Sequence, residues 1–91
     1  MIHHATHEKE LHRLNRAIGQ LEGIKRMIED KRYCIDILTQ IRAARSALKT
    51  IELSVLDTHI KGCLGHIATL SDEAMRDQKL NEIIALLKKY E

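Results

Sequence analysis

The chain contains no proline, phenylalanine or tryptophan, and only four of its 91 residues are glycine. A sheet built from β-hairpins needs turn-forming residues such as glycine and proline, so this composition disfavours a β fold. Two tyrosines are the only Phe, Trp or Tyr residues, which leaves few side chains for stacking on the bases of single-stranded nucleic acid. We therefore expect an all-α fold, and any nucleic-acid binding would have to depend on charge and shape.

The sequence also has no long apolar run and few cysteines. No stretch approaches the roughly 18 apolar residues of a membrane span, and the start MIHHATHEKE lacks the apolar core of a signal peptide. We predict a cytoplasmic protein with no membrane partner and no small-molecule substrate. In a reducing compartment its two cysteines favour a metal site or a redox pair over a structural disulfide.

Apolar residues recur every three or four positions in three segments, which predicts three helices. The first of these stripes comprises Leu11, Leu14, Ile18, Leu21, Ile24 and Ile28. The first predicted helix spans 8–29, and a turn follows at 30–33. The second spans about 33–65, where Gly62 and Gly65 are expected to end it. Residues 71–78 show no clear pattern, and the third predicted helix spans 80–90. We expect one domain, 1–91, in which 1–7 form a flexible tail.

The second predicted helix is long enough to pack lengthwise against another helix. A helical chain of 91 residues buries only a thin core by itself, which favours an oligomer. Two chains that each contribute two helices would form an antiparallel four-helix-bundle dimer. A monomeric three-helix bundle is the alternative.

His59 and Cys63 stand four residues apart in the segment DTHIKGCLGH. On a helix this spacing places both side chains on one face, so an imidazole and a thiolate can share a metal. Cys34 is the candidate third ligand, but in a continuous helix the separation of 25 positions between Cys34 and His59 spans about 37 Å. Cys34 must therefore join His59 and Cys63 of a second chain. Otherwise it is a small core residue and no ligand.

Two thiolates and one imidazole form a soft, three-ligand donor set. Such a set suits trigonal Cu(I), whereas Zn(II) and Ni(II) prefer a fourth ligand. An antiparallel pair of long helices would place the start of one helix beside the end of the other, which creates two equivalent sites. The donor set therefore favours Cu(I) at an intersubunit site.

Basic residues recur at helical spacing on both long helices, although the net charge is only +2. They are Lys9, Arg13 and Arg16 on the first helix and Arg42, Arg45 and Lys49 on the second. A symmetric oligomer multiplies such stripes into a phosphate-binding surface. The alternative is that they are ordinary solvated helix faces.

The segment RLNRAIGQLEGIKRMIEDKRYCIDILTQIRAARSAL (13–48), together with THIKGCL (58–64), closely resembles the copper-sensing operon repressors. These form the CsoR-type branch of a family that also includes nickel, cobalt and formaldehyde sensors. The resemblance extends over about residues 8–90, and the arrangement of Tyr33, Cys34, His59 and Cys63 is specific to this branch.

The resemblance implies a dimer of dimers whose metal-free form binds operator DNA upstream of copper-efflux genes. It implies that Cu(I), bound by Cys34 of one chain and by His59 and Cys63 of the other, weakens DNA binding. Tyr33 and Glu82 match family residues that surround the ligands. Arg13 matches a DNA-contacting arginine, and a second basic position of the family falls on Thr50, with Lys49 adjacent.

Two other classes of function remain open at this point. A nickel or cobalt sensor of the same family would add an amino-terminal ligand, and the chain offers His3, His4 and His7, while His66 follows Cys63 by three residues. A copper carrier or a structural zinc dimer would bind its metal without binding DNA. An enzyme is disfavoured, because the sequence shows no acid/base pair or phosphate-binding loop and a fully ligated Cu(I) has no open position.

Overall fold

The computed structural model describes residues 6–90, most of which lie in three helices. These are α1 (Lys9–Glu29), α2 (Cys34–Ile67) and α3 (Glu73–Lys89). The described part of the chain contains no strand, so the predicted all-α class and three-helix protomer are confirmed. No helix among these residues is long and apolar enough to cross a membrane. Residues 6–55 and the described residues from Leu56 onward form two compact units.

In the unit of residues 6–55, α1 packs antiparallel to the first part of α2. Glu10, near the start of α1, bonds to Ser54, 44 residues further along the chain. Ala17 and Ala44 are the most deeply buried side chains, at 1% and 3% exposed. Because alanine side chains are small, they allow two helices to approach closely at this level.

The turn between α1 and α2 is closed by a regular helix C-cap. The Lys31 amide donates to the Ile28 carbonyl at 3.1 Å, and the Arg32 amide donates to the Met27 carbonyl at 3.0 Å. These two bonds are those of a Schellman motif. The motif requires a left-handed residue after the cap, and Lys31 occupies it with φ of 54°.

The apolar stripe predicted on the first helix is mostly exposed in the single chain. Ile24 is buried at 8% exposure, whereas Leu11, Leu21 and Ile28 are each about half exposed. The residues that α1 buries are Glu10, Ala17 and Ile24, at intervals of seven. An apolar face of this extent is left without cover in the unit, which is typical of a surface that contacts another protein.

The unit that begins at Leu56 contains the end of α2 and all of α3, and here two predicted boundaries were wrong. Gly62 and Gly65 were expected to end α2, but the helix continues to Ile67. Both glycines keep negative φ values. The helix continues through them because a glycine inside a helix costs only about 1 kcal/mol relative to alanine. Helix α3 begins at Glu73 rather than near Leu80.

The earlier start of α3 has a local cause. The Asp72 carboxylate accepts hydrogen bonds from the amides of Ala74 at 2.9 Å and Met75 at 3.5 Å. An N-cap of this kind pairs amides that otherwise have no partner within the helix. Helix α3 buries Ile83.

Candidate metal centre and nucleic-acid interface

His59 and Cys63 lie together near the end of α2, as their spacing predicted. The Cys63 Sγ is 3.4 Å from the His59 Nε2, His59 is exposed, and Cys63 is half-buried. The helix therefore presents a thiol and an imidazole nitrogen side by side, within reach of solvent.

This separation fits two ligands of one metal ion. Thiolate sulfur and imidazole nitrogen bind Zn²⁺, for example, at about 2.3 and 2.0 Å. With bonds of these lengths, a 3.4 Å separation of the two donor atoms corresponds to a sulfur–metal–nitrogen angle of roughly 105°. Within residues 6–90, however, no three His, Cys, Asp or Glu side chains come together. The described residues of one chain thus bring together two candidate ligands, His59 and Cys63, without a third beside them.

Cys34 is the first residue of α2. Its thiol is free and exposed, and Tyr33, just before it, is 68% exposed. The amides of Asp36 and Ile37 donate to the Tyr33 carbonyl, which fixes the backbone where the helix begins. Cys34 is therefore a surface thiol, and the interpretation of this residue as a small core side chain is wrong for the single chain.

The other residues predicted at or around the metal site are Glu82, His66 and the amino-terminal histidines. Glu82 lies on α3 and its Oε2 is 3.5 Å from the Lys79 Nζ. His66 lies in the last turn of α2 and is exposed. His7 is half-buried, whereas His3 and His4 lie outside the described residues, as does most of the predicted tail.

Arg42, Arg45 and Lys49 share one open groove of about 680 Å³ along α2. Glu52 also lines it, so the groove has three positive charges and one negative charge. The three basic side chains predicted as a stripe are therefore neighbours in the structure. Such a surface attracts a polyanion through an interaction that weakens as salt rises.

Arg13 and Arg16 line a separate groove between α1 and α2, of about 400 Å³. Gln20 and Thr50 also line this groove. The Thr50 hydroxyl donates to the Ser46 carbonyl at 3.1 Å. The structure thus divides five of the six predicted basic residues between two grooves, and Lys9 lines neither. Thr50, rather than Lys49, shares the groove of Arg13.

Glu10 is a functional candidate that the sequence analysis missed. It is 5% exposed, it accepts a hydrogen bond from the Ser54 hydroxyl, and its two carboxylate oxygens lie 3.3 and 3.2 Å from the Arg13 Nη1. The Ser54 hydrogen bond lowers the pKa of Glu10; burial opposes this effect, and the Arg13 charge reinforces it. A buried carboxylate is therefore held ionised beneath an arginine.

A signal for Glu10 was present in the spacing. Glu10 stands seven residues before Ala17, which is itself seven before Ile24, and α1 buries all three. A charged residue at a buried heptad position needs partners. The pattern of basic residues indicates Arg13 and gives no indication of the acidic residue three positions earlier.

Comparison with known proteins shows a family whose sequence model covers most of this chain. The sequence model described as "Metal-sensitive transcriptional repressor" matches residues 6–89. The copper-sensing transcriptional repressor RicR of Mycobacterium tuberculosis is 48% identical over 64 residues, which cover 68% of this chain and 67% of that protein. The copper-sensing transcriptional repressor CsoR of Bacillus subtilis is 36% identical over 90 residues, covering 97% and 86%.

Two solved structures share the fold. The nickel-responsive transcriptional regulator InrS superposes with a TM-score of 0.78 at 29% identity, covering all of both chains. The copper-sensing repressor CsoR with Cu(I) from Geobacillus thermodenitrificans superposes with a TM-score of 0.70 at 37% identity, covering 99% of this chain and 93% of that one.

Proposed function

Because the chain belongs to the family of metal-sensitive transcriptional repressors, we propose that it is a Cu(I)-responsive repressor. In this proposal the metal-free protein binds operator DNA of copper-efflux genes in the cytoplasm, and Cu(I) binding causes its release. Family membership agrees with the prediction that the chain is not an enzyme.

The observation that carries the proposal is the contact between His59 and Cys63. Two donors 3.4 Å apart on consecutive turns of α2 form a ready pair of ligands, and the exposed Cys34 thiol supplies the third from a second chain. Two thiolates and an imidazole match the preference of Cu(I) for soft ligands. The copper-sensing repressors RicR and CsoR, at 48% and 36% identity, support the same metal.

The second chain is another copy of the same protein. An apolar face of α1 that includes Leu11, Leu21 and Ile28 is exposed in the single chain, and a second copy would cover it at a twofold interface. Such a dimer would bring Cys34 of one protomer to the ligands on the other. Two dimers assemble into the tetramer that binds DNA.

Tyr33 and Glu82 are proposed to connect the metal ligands with the rest of the protein. The Nε2 of His59 faces Cys63, which leaves Nδ1 for a hydrogen bond. A carboxylate or phenol at Nδ1 fixes the orientation of a metal-binding imidazole. Glu82 on α3 is suited to this role if it exchanges Lys79 for His59 when the metal binds.

The two basic grooves form the proposed DNA surface. Arg13 and Arg16 line one groove, while Arg42, Arg45 and Lys49 line the other. Arginine and lysine at such positions bind phosphate groups and release counterions, so affinity should fall steeply with salt. Repetition of both grooves around the oligomer multiplies this effect.

The proposal is tested on DNA chosen by the protein itself. Metal-free protein should select a defined duplex from a random-sequence library, and Cu(I) should abolish retention at about one ion per chain. Cys63→Ala should still bind the selected duplex but should not release it with Cu(I). Retention of no duplex at any salt concentration would contradict the repressor function and favour a copper carrier.

A nickel-responsive repressor is the second candidate, favoured by the superposition on InrS. Ni(II) prefers a fourth ligand in a planar site, which His66 or an amino-terminal histidine would have to supply. Titration of the DNA complex with Cu(I) and with Ni(II) separates the two candidates. Release by Ni(II) alone, lost in His66→Ala or in an amino-terminal histidine variant, would replace copper with nickel.

A further inference from the structure

A buried carboxylate lies under one of the arginines assigned to DNA, and we propose that Glu10 is a positioning residue that orients Arg13 towards a DNA phosphate. The inference rests on the repressor function proposed above and adds a residue to its DNA-binding surface. Glu10 itself does not face the DNA, since it is 5% exposed.

The contact between the two side chains is one-sided. Both carboxylate oxygens of Glu10 approach the same Arg13 nitrogen, Nη1, at 3.2 and 3.3 Å. The guanidinium has further N–H donors on Nη2 and Nε, which lie in the same plane. The Arg13 side chain is 51% exposed, against 6% for that of Glu10. Glu10 therefore fixes one end of the guanidinium while leaving donors for an anion.

Ser54 makes this arrangement firmer than an ordinary surface ion pair. An exposed pair stabilises little because both long side chains move. Here the Ser54 hydroxyl on α2 donates to Glu10 on α1, so the carboxylate is tied to both helices. Arg13 is thereby attached to the helix pair as well as to its own backbone.

The location of Arg13 gives this attachment a consequence. Arg13 and Arg16 line the same groove, so a fixed Arg13 presents its donors beside a second cation. An arginine loses much rotamer freedom when it binds a phosphate, and a pre-oriented side chain has already lost part of it. Glu10 also subtracts a charge from the region, but its carboxylate is buried and contacts only the Nη1 end of the guanidinium.

The test is a double-mutant cycle on DNA affinity. Glu10→Gln is compared with Glu22→Gln, which changes the net charge equally at an exposed position of the same helix. Relative to that control, Glu10→Gln should weaken binding of the library-selected duplex by about five-fold when Arg13 is present. In the Arg13→Ala background the two variants should bind equally. Ser54→Ala, which leaves the net charge unchanged, should reproduce a smaller loss that also requires Arg13.

Circular dichroism and the oligomer mass must match the wild type for each variant, and Ser54→Ala keeps the test decisive if Glu10→Gln fails to fold. Equal losses with and without Arg13 would show that Glu10 acts on the fold alone and would overturn the inference. Tighter binding by Glu10→Gln than by Glu22→Gln would also overturn it, because Glu10 would then compete with phosphate for Arg13. If wild-type protein retains no duplex, the repressor function itself fails; retention with zero coupling rejects only the role of Glu10.

Discussion

Glu10 shows how one residue can be charged and buried at the same time in so small a protein. A carboxylate removed from water is costly unless hydrogen bonds and an opposite charge compensate for the lost hydration. Ser54 supplies a hydrogen bond, and Arg13 supplies both a hydrogen bond and a charge. The lowered pKa of Glu10 indicates that these partners outweigh the effect of burial.

This balance predicts the direction of a pH effect. Because the native pKa of Glu10 lies below its ordinary value, the ionised carboxylate stabilises the fold above the unfolded pKa of about 4.3. The contribution is lost as the pH falls through the native pKa. Urea unfolding at fixed chain concentration should show wild type more stable than Glu10→Gln near neutral pH, with a difference that shrinks in acid. A difference that is constant with pH would contradict this assignment, and Glu22→Gln is the charge control.

Thr50 offers a second prediction at the scale of a residue. It lines the groove of Arg13 and Arg16, so Thr50→Arg adds a third cation beside them. We expect tighter binding of the selected duplex and a plot of log affinity against log salt that is steeper by about one per bound chain.

Thr39→Arg is a matched control for Thr50→Arg. Thr39 lies on the same helix, is exposed, and its hydroxyl donates to a carbonyl four residues back, as the Thr50 hydroxyl does. Both substitutions raise the net charge equally. If Thr39→Arg steepens the salt dependence as much as Thr50→Arg does, the gain comes from overall charge and the Arg13 groove is not a DNA contact.

At the scale of the elements, the turn between α1 and α2 contains one residue in an unfavourable backbone conformation, which a substitution could relieve. Lys31 adopts φ of 54°, a conformation that disfavours a side chain with Cβ but suits glycine. Lys31→Gly should raise the free energy of unfolding by about 0.5 to 1 kcal/mol, after allowance for the greater freedom of glycine in the unfolded chain. Urea denaturation measures this change. Lys31→Ala removes the charge and keeps Cβ, so an equal gain in that variant would attribute the effect to charge.

The helices were predictable to different degrees, for physical reasons. Periodic apolar residues located α1 and α2 because both helices carry long stripes. The start of α3 was missed because its first turns, from Glu73, expose their side chains and depend on the Asp72 cap rather than on an apolar pattern. A search for capping residues before the segment 73–78 would have found it.

Some contacts of the candidate site could likewise be predicted from the sequence, and others could not. The contact between His59 and Cys63 follows from helical spacing alone, and the sequence therefore predicted it. The separation of the basic residues into two grooves depends on how α1 packs against α2, as does the hydrogen bond from Ser54 to Glu10. Glu10 and Ser54 are 44 positions apart in the sequence. A contact between residues so distant cannot be predicted from periodicity within one helix.

At the scale of the whole molecule, two features of the described residues favour a second copy of the chain. The single chain exposes a broad apolar face on α1, including Leu11 and Ile28. Within residues 6–90 it also brings together no group of three metal-binding side chains. Under the proposed function, a second copy would cover the apolar face and supply the third ligand, and metal binding would then be conditional on assembly.

Complementation between variants tests that conclusion. Cys34→Ala and Cys63→Ala chains should each fail to hold Cu(I) against a competing chelator, because each lacks one ligand of every site. When the two are unfolded together and refolded, half of the dimers should be mixed, each with one intact site, so about a quarter of the sites should hold Cu(I). Cys63→Ala mixed with His59→Ala is the control, because both lesions then affect the same half of the site and no dimer has an intact one. Equal retention in the two mixtures would show that Cys34 does not reach across to the partner chain.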